Sequence, residues 1–150
     1  MNEWGLPAVC IESALHEICG RLERTGLTVP DIAITGGITS EDQVYKALAI
    51  GAPYVKLVGL CRAAMAAAMV GEKVGQLLEN GTVPKHLERY GGTKEVLFRH
   101  LPELRSIYGG EADHMSSGAI GAYSCLQKIA FGLRHFAVLN RKFDVRYINR

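Results

Sequence analysis

The first strong pattern along the chain is a set of apolar residues at helical spacing, which predicts a helix over residues 7–25. Gly26 follows, where the left-handed residue after a helix end belongs, and Pro30 comes soon after. The apolar residues that share one face of this helix are Ile11, Leu15, Ile18 and Leu22. The spacing therefore indicates an amphipathic helix that covers a core on one side.

The next part of the chain alternates between short apolar runs and helical segments. Residues 31–35 and 54–58 are short apolar runs, which are typical of buried parallel strands. Ser40 is expected to cap the helix between them, because Gln43 stands three residues later in a capping-box pattern. A longer Ala- and Met-rich helix is predicted over residues 61–78. This order indicates parallel strands covered by helices, with right-handed crossovers.

The second half of the chain is more broken. Glycine and proline residues interrupt residues 80–118, which are expected to form only short helical pieces. Helical spacing returns over residues 119–139, where a long helix is predicted. We therefore expect a strand-containing segment over residues 1–80 and a mostly helical extension over residues 81–150.

The composition of the chain argues against several classes of partner and location. The chain has 150 residues, of which 48% are hydrophobic and 21% charged, and its net charge is +2. These values suit one soluble domain and do not indicate a nucleic-acid partner. The N-terminus lacks the pattern of a signal peptide, and the longest near-apolar stretch, residues 63–70, is too short to span a bilayer. A cytoplasmic location without a membrane partner is expected.

Residues that could bind metals show no recognisable spacing. The 4 Cys residues are widely and irregularly separated, without a C-x-x-C pair, and the 5 His residues are scattered. Zinc sites and a disulfide framework are therefore not indicated. Met65 and Met69 lie four residues apart in the Ala-rich helix, where core packing is the expected role. Cys61, at the start of that helix, is likewise expected to be an inert packing thiol.

Glycine residues follow both predicted strands. Gly36 and Gly37 come after the first strand, and Gly59 comes after the second. Ligands of parallel α/β sheets bind outside the carboxyl ends of the strands, and glycine lets backbone N–H groups approach a phosphate closely. Arg62, in the first turn of the next helix, adds a charge that can clamp an anion. The pattern favours a phosphate site, and a tight turn without a ligand is the alternative interpretation.

A resemblance to a known family rests on these motifs and their flanks. ITGGI at residues 34–38, ALAIGA at 47–52 and VG at 58–59 resemble the seventh and eighth strands of FMN-dependent barrel oxidoreductases. WGLP at residues 4–7 and GAYS at 121–124 are similar to one branch of them, the FMN-binding domain family of the glutamate synthase large subunit. The resemblance covers nearly the whole chain.

The resemblance implies an α/β fold that is the C-terminal portion of a (β/α)₈ TIM barrel, with strands seven and eight, flanking helices and a helical extension packed on the barrel. A complete barrel usually needs about 250 residues. The implied function is part of an FMN-dependent oxidoreductase, in which this chain supplies the FMN phosphate-binding loops. The implied partner is the remaining N-terminal portion of the barrel or another copy of the chain. The residues implied to bind FMN are Gly36, Gly37, Gly59, Leu60, Cys61 and Arg62.

Departures from the family pattern leave alternatives open. Thr39 stands where family members often carry Arg, and only Cys61 follows the second strand, so no iron–sulfur cluster is expected. Lys56, within the second strand, either reaches out of the sheet end or points towards the flavin or substrate. A non-catalytic phosphate-binding or assembly module that needs a partner chain is one alternative function, and an IMP dehydrogenase-like barrel fragment is another. The chain alone is expected to bind FMN weakly or not at all, without oxidoreductase activity.

Overall fold

The structure, a computed structural model, describes residues 7–144 and 147–148, and 65% of these residues are helical. Short 3-10 helices at Glu88–Tyr90 and Gly109–His114 accompany the longer elements. The α-helices and β-strands, in chain order, are α1 Ala8–Arg24, β1 Ile32–Thr35, α2 Glu41–Gly51, β2 Val55–Gly59, α3 Arg62–Glu79, α4 Lys94–Leu97, α5 Leu101–Tyr108 and α6 Ser117–Leu139.

The predicted fold class is wrong. Among the described residues the only sheet is the pair β1–β2, so the chain forms a small helical protein and not a TIM-barrel portion with strands seven and eight. In a barrel every strand is paired on both edges and its outer face is covered by helices. Here Leu57, in the middle of β2, is 66% exposed. The apolar runs identify strands locally, but they do not specify the neighbours that a barrel requires.

The order and direction of the two strands are as predicted. β1 and β2 pair in parallel, with Thr35 opposite Gly59 at their carboxyl ends. The connection between them contains α2, as expected for a crossover between parallel strands. Val55 on β2 is buried. The strands therefore bury part of their side chains in a local core and leave the rest open.

Contacts divide the chain into two compact units, of which the first comprises residues 1–60 and 129–150. In this unit α1 packs against α2, and Tyr54 donates a hydrogen bond to Glu23 at 2.8 Å. Gly26 has a φ of 71°, which confirms the predicted left-handed end of α1. The buried apolar residues of this unit are Cys19, Val44, Ala47, Ala52, Val55, Ile129, Ala137 and Ile148.

The capping box predicted for α2 does not form. Ser40 occupies the N-cap position, but its hydroxyl donates to Asp42 at 2.5 Å and makes no cap hydrogen bond to the backbone. Gln43 Oε1 instead accepts from the backbone N–H of Thr39 at 2.7 Å. Both side chains thus use partners other than those of a capping box. The sequence pattern predicts the helix start correctly, but it does not determine which acceptor each donor finds.

The second unit comprises residues 61–128. Its hydrophobic core consists of Phe98, Leu101, Leu104, Ala112 and Ile120. Gly71 of α3 approaches the backbone of α6 so closely that a Cβ on Gly71 would lie 2.6 Å from the carbonyl oxygen of Ser117. The Glu72 carboxylate accepts a hydrogen bond from the N–H of Gly118 at 3.1 Å. The glycines of α3 therefore allow this contact, although the sequence presents them only as weak points of the helix.

Candidate phosphate-binding site

The register of the sheet brings the two glycine turns together in the first unit. Thr35 and Gly59 are opposite each other at the carboxyl ends of β1 and β2. Gly36 and Gly37 follow Thr35 directly, so both turns leave the same end of the sheet. A parallel pair with this register is required if two strand ends are to direct backbone N–H groups at one anion.

The Gly36-Gly37 turn needs glycine for its backbone conformation. Gly36 has a φ of 110° and Gly37 a φ of 70°, values that residues with a Cβ rarely adopt. Both residues are exposed, and an added Cβ on either would meet nothing within 4 Å. Within the first unit, the space in front of the turn is therefore open to a ligand.

Gly59 has a different requirement. An added Cβ on Gly59 would lie 3.0 Å from Thr35 Oγ1 and 3.1 Å from Thr35 Cβ. The hydroxyl of Thr35 donates a hydrogen bond to the carbonyl oxygen of Gly59 at 3.3 Å. Thr35 therefore links the two strand ends, and Gly59 makes room for that link. Sequence reasoning did not single out Thr35, although its position directly before the paired glycines was a usable signal.

The remaining predicted site residues lie at the sequence boundary between the two units, at residues 60–62. Leu60 is half-buried and is the last residue of the first unit in this part of the sequence. Cys61 is exposed and occupies the N-cap position of α3, without a side-chain cap hydrogen bond. Arg62 is exposed and begins α3 in the second unit. The geometry of the candidate site is therefore carried by Gly36, Gly37 and Gly59.

The start of α2 contributes little to anion binding. The N–H of Thr39 is already hydrogen-bonded to Gln43, so it is not free for a ligand. Hydrogen bonds from Ser40 and Lys46 hold the pKa of Asp42 below its usual value, and Asp42 therefore stays ionised. A carboxylate in the first turn satisfies the helix dipole and repels an incoming anion. The candidate donors for a phosphate are therefore the backbone N–H groups of the glycine turns.

Other residues singled out in the sequence have clear positions. Lys56 is exposed on β2. Met65 and Met69 are 57% and 70% exposed, so the core-packing interpretation of these two residues is wrong. The interpretation of Cys61 as a packing thiol is also wrong, because its side chain is exposed. The hydrophobicity of these residues was correct evidence for a helix, but it did not specify which face is covered.

Two kinds of feature are absent from the described residues, a metal-binding cluster and a membrane-spanning helix. No group of three or more His, Cys, Asp or Glu side chains in residues 7–144 and 147–148 is arranged to hold a metal ion. In the same part of the chain no helix has the length and apolarity needed to cross a membrane.

Comparison with known proteins adds no identification. No protein-family model, no curated protein and no solved structure matches the chain. The resemblance to the glutamate synthase family therefore stays a prediction from the motifs.

Proposed function

We propose that the glycine turns after β1 and β2 bind the phosphate group of FMN. In this proposal the chain supplies the phosphate-binding loops of an FMN-dependent oxidoreductase of the glutamate synthase type. The observation that carries the proposal is the register of Thr35 opposite Gly59, which places Gly36, Gly37 and Gly59 at one end of a parallel pair. The resemblance of residues 34–38 and 58–59 to the FMN-dependent family supplies the identity of the ligand.

The chemistry of the turns suits a phosphate better than an uncharged ligand. A phosphate dianion accepts several hydrogen bonds, and exposed backbone N–H groups without neighbouring Cβ atoms can donate them at close range. Hydrogen bonds to charged groups contribute about 1.5–3 kcal/mol each. Two such bonds would give roughly 3–6 kcal/mol, from which the entropy lost on association is subtracted. A Kd of about 1 mM is therefore at the tight end of what these turns can provide. We therefore expect weak binding by the chain itself.

The flavin ring requires further protein. The redox chemistry belongs to the flavin, and the protein binds and orients it. The two short strands offer the ring little cover, since Leu57 on β2 is left 66% exposed. We propose that additional polypeptide, or a second copy of this chain, completes the ring environment. The isolated chain is expected to show no turnover with any electron donor.

The phosphate site can be tested by nuclear magnetic resonance, with the isotope-labelled chain titrated with millimolar concentrations of ligand. FMN and inorganic phosphate should both shift the backbone amide signals of Gly36, Gly37 and Gly59. Ribitol, the uncharged polyol that corresponds to the FMN side chain without its phosphate, should leave those signals in place at the same concentration. Equal shifts with ribitol, or no shifts at 10-fold excess over the expected Kd of about 1 mM, would contradict the proposal.

A matched pair of substitutions separates binding from backbone strain. Gly37→Ala and Gly26→Ala both place a Cβ on a residue with nearly the same positive φ, 70° and 71°. At both positions the Cβ would meet nothing within 4 Å, so the strain should be similar, about 1–2 kcal/mol. Only Gly37→Ala should weaken phosphate binding, by at least fivefold. The same loss in Gly26→Ala would show that the effect is general destabilisation.

A further inference from the structure

Three sulfur-containing side chains form a stripe along the exposed face of α3. Cys61 is the N-cap residue of α3, and Met65 and Met69 follow it at intervals of four residues, so the two methionines lie on one side of the helix. All three are exposed, Met65 to 57% and Met69 to 70%. Long apolar side chains are normally buried on an amphipathic helix, so packing within the second unit does not account for this stripe.

The sulfur atoms of the first two residues are already in contact. The thiol of Cys61 donates to the thioether sulfur of Met65, and the two sulfur atoms are 3.8 Å apart. A metal–thiolate bond is about 2.3 Å long in zinc proteins. Two sulfur atoms at this separation can therefore both ligate one ion with an angle of about 110° at the metal, close to the tetrahedral value.

Met69 is the candidate for a third sulfur ligand, because it follows Met65 by one helical turn. Side chains on a helix lean towards its N-terminus, so rotamers of Met69 that point towards Met65 are favoured. Methionine has three rotatable bonds and adapts its position easily. The geometry of α3 thus permits three sulfur ligands from residues of one helix face.

We propose that Cys61, Met65 and Met69 bind Cu(I). Thiolate and thioether sulfur are soft ligands, and together they select this soft monovalent ion. Binding breaks the S–H bond of Cys61 and forms a Cu–S bond, and the proton leaves to solvent. The copper enters and stays as Cu(I), so no electron is transferred, and the thiolate neutralises its single charge. This site uses side chains on α3 and does not depend on the phosphate proposal.

Anaerobic titration of the full chain with Cu(I), in competition with a chromophoric Cu(I) chelator, measures the affinity. The unmodified chain should withdraw one Cu(I) from the chelator, and X-ray absorption should show sulfur ligands only. Met65→Leu should weaken this binding at least tenfold, and Met69→Leu should weaken it to a lesser degree. Because both methionines are exposed and leucine is of similar size, these variants are expected to keep the helical circular dichroism spectrum of the parent.

Two controls test the selectivity of the site, one with a second exposed cysteine and one with a different metal ion. Cys10 is also exposed and also lies on a long helix, but Ala14 and not a methionine stands four residues after it. Cys10→Ser should leave the affinity unchanged, whereas Cys61→Ser should abolish the tight site. Zn²⁺ should not compete, because structural zinc sites use Cys, His and carboxylate ligands. An unchanged affinity in Met65→Leu, or an equal loss in Cys10→Ser and Cys61→Ser, would overturn the proposal.

Discussion

The contact between α3 and α6 in the second unit predicts a clear effect for one added methyl group. Gly71→Ala places a Cβ 2.6 Å from the carbonyl oxygen of Ser117 and 3.1 Å from the Cα of Gly121. Both neighbours are backbone atoms, so they cannot rotate away as a side chain can. To restore an ordinary contact of 3.4 Å with the oxygen atom, the two helices must separate by about 0.8 Å at this point.

Two opposing contributions determine how much Gly71→Ala changes the free energy of unfolding. Alanine is favoured over glycine within a helix by about 1 kcal/mol, which would stabilise the protein. Overpacking of a close contact costs about 1–3 kcal/mol, and a rigid backbone contact belongs at the upper end of that range. The net effect of Gly71→Ala should therefore be a loss of about 1–2 kcal/mol. In a chain of this length such a loss lowers the Tm by roughly 2–8 °C.

Gly20→Ala is the matched control for this substitution. Gly20 also lies within a long helix, α1, but its Cβ would meet only the ends of two side chains, at 3.4 Å from Arg24 and 3.5 Å from Tyr54. Helix propensity should dominate at Gly20, so the substitution should stabilise the protein by about 0.4–1 kcal/mol. Urea unfolding followed by circular dichroism gives both values. If Gly71→Ala were as stabilising as Gly20→Ala, the close approach of α3 and α6 would be refuted.

Two further predictions concern a buried acid and the open sheet face. Burial raises the pKa of the Glu12 carboxyl above its ordinary value of about 4.5. The folded chain therefore binds the carboxyl proton more tightly than the unfolded chain, and this difference stabilises the fold at low pH. That stabilisation is lost as the pH rises from about 4.5 through the raised pKa of the folded state. Glu12→Gln removes the titrating group, so the variant should not lose this stability as the pH rises. The urea midpoint of Glu12→Gln minus that of the unmodified chain should therefore increase from pH 4 to pH 7, and a difference that does not change with pH would contradict this prediction. Leu57→Thr should change stability by less than about 0.5 kcal/mol because Leu57 is 66% exposed, whereas Val55→Thr on the same strand should cost about 1–3 kcal/mol because Val55 is buried. Equal effects at Leu57 and Val55 in thermal unfolding would show that the sheet has no open face.

Local signals in the sequence predicted the elements well. The predicted helix over residues 7–25 is found as Ala8–Arg24, and the apolar runs at 31–35 and 54–58 are found as β1 and β2. Each of these predictions depends on spacing within one short segment and on a glycine or proline at its end. The hydrogen bonds of helices and the grouping of apolar residues on one face are determined largely at that range.

Properties that depend on distant parts of the chain were not predictable in the same way. The sequence shows that Met65 and Met69 share a helix face, but not that this face is exposed. It shows a glycine at position 71, but not that the backbone of α6 lies against it. The barrel was expected from a resemblance, and two strands among the described residues do not form one. Which surfaces pack together depends on residues that are far apart in the sequence, so a local pattern does not determine the packing partners of a segment.

The placement of the two glycine turns at one end of the strand pair was predictable from the sequence, even though the barrel prediction was wrong. What the site needs is that Gly36, Gly37 and Gly59 leave the same end of two parallel strands, and this follows from the pairing of Thr35 with Gly59 alone. A slip of the register by one residue would reverse the faces of the strand and remove the hydrogen bond from Thr35 to Gly59. The close fit of Gly59 against Thr35 opposes such a slip. The proposed phosphate site therefore requires only the paired carboxyl ends of β1 and β2, whereas a flavin ring needs surfaces that these two strands do not provide.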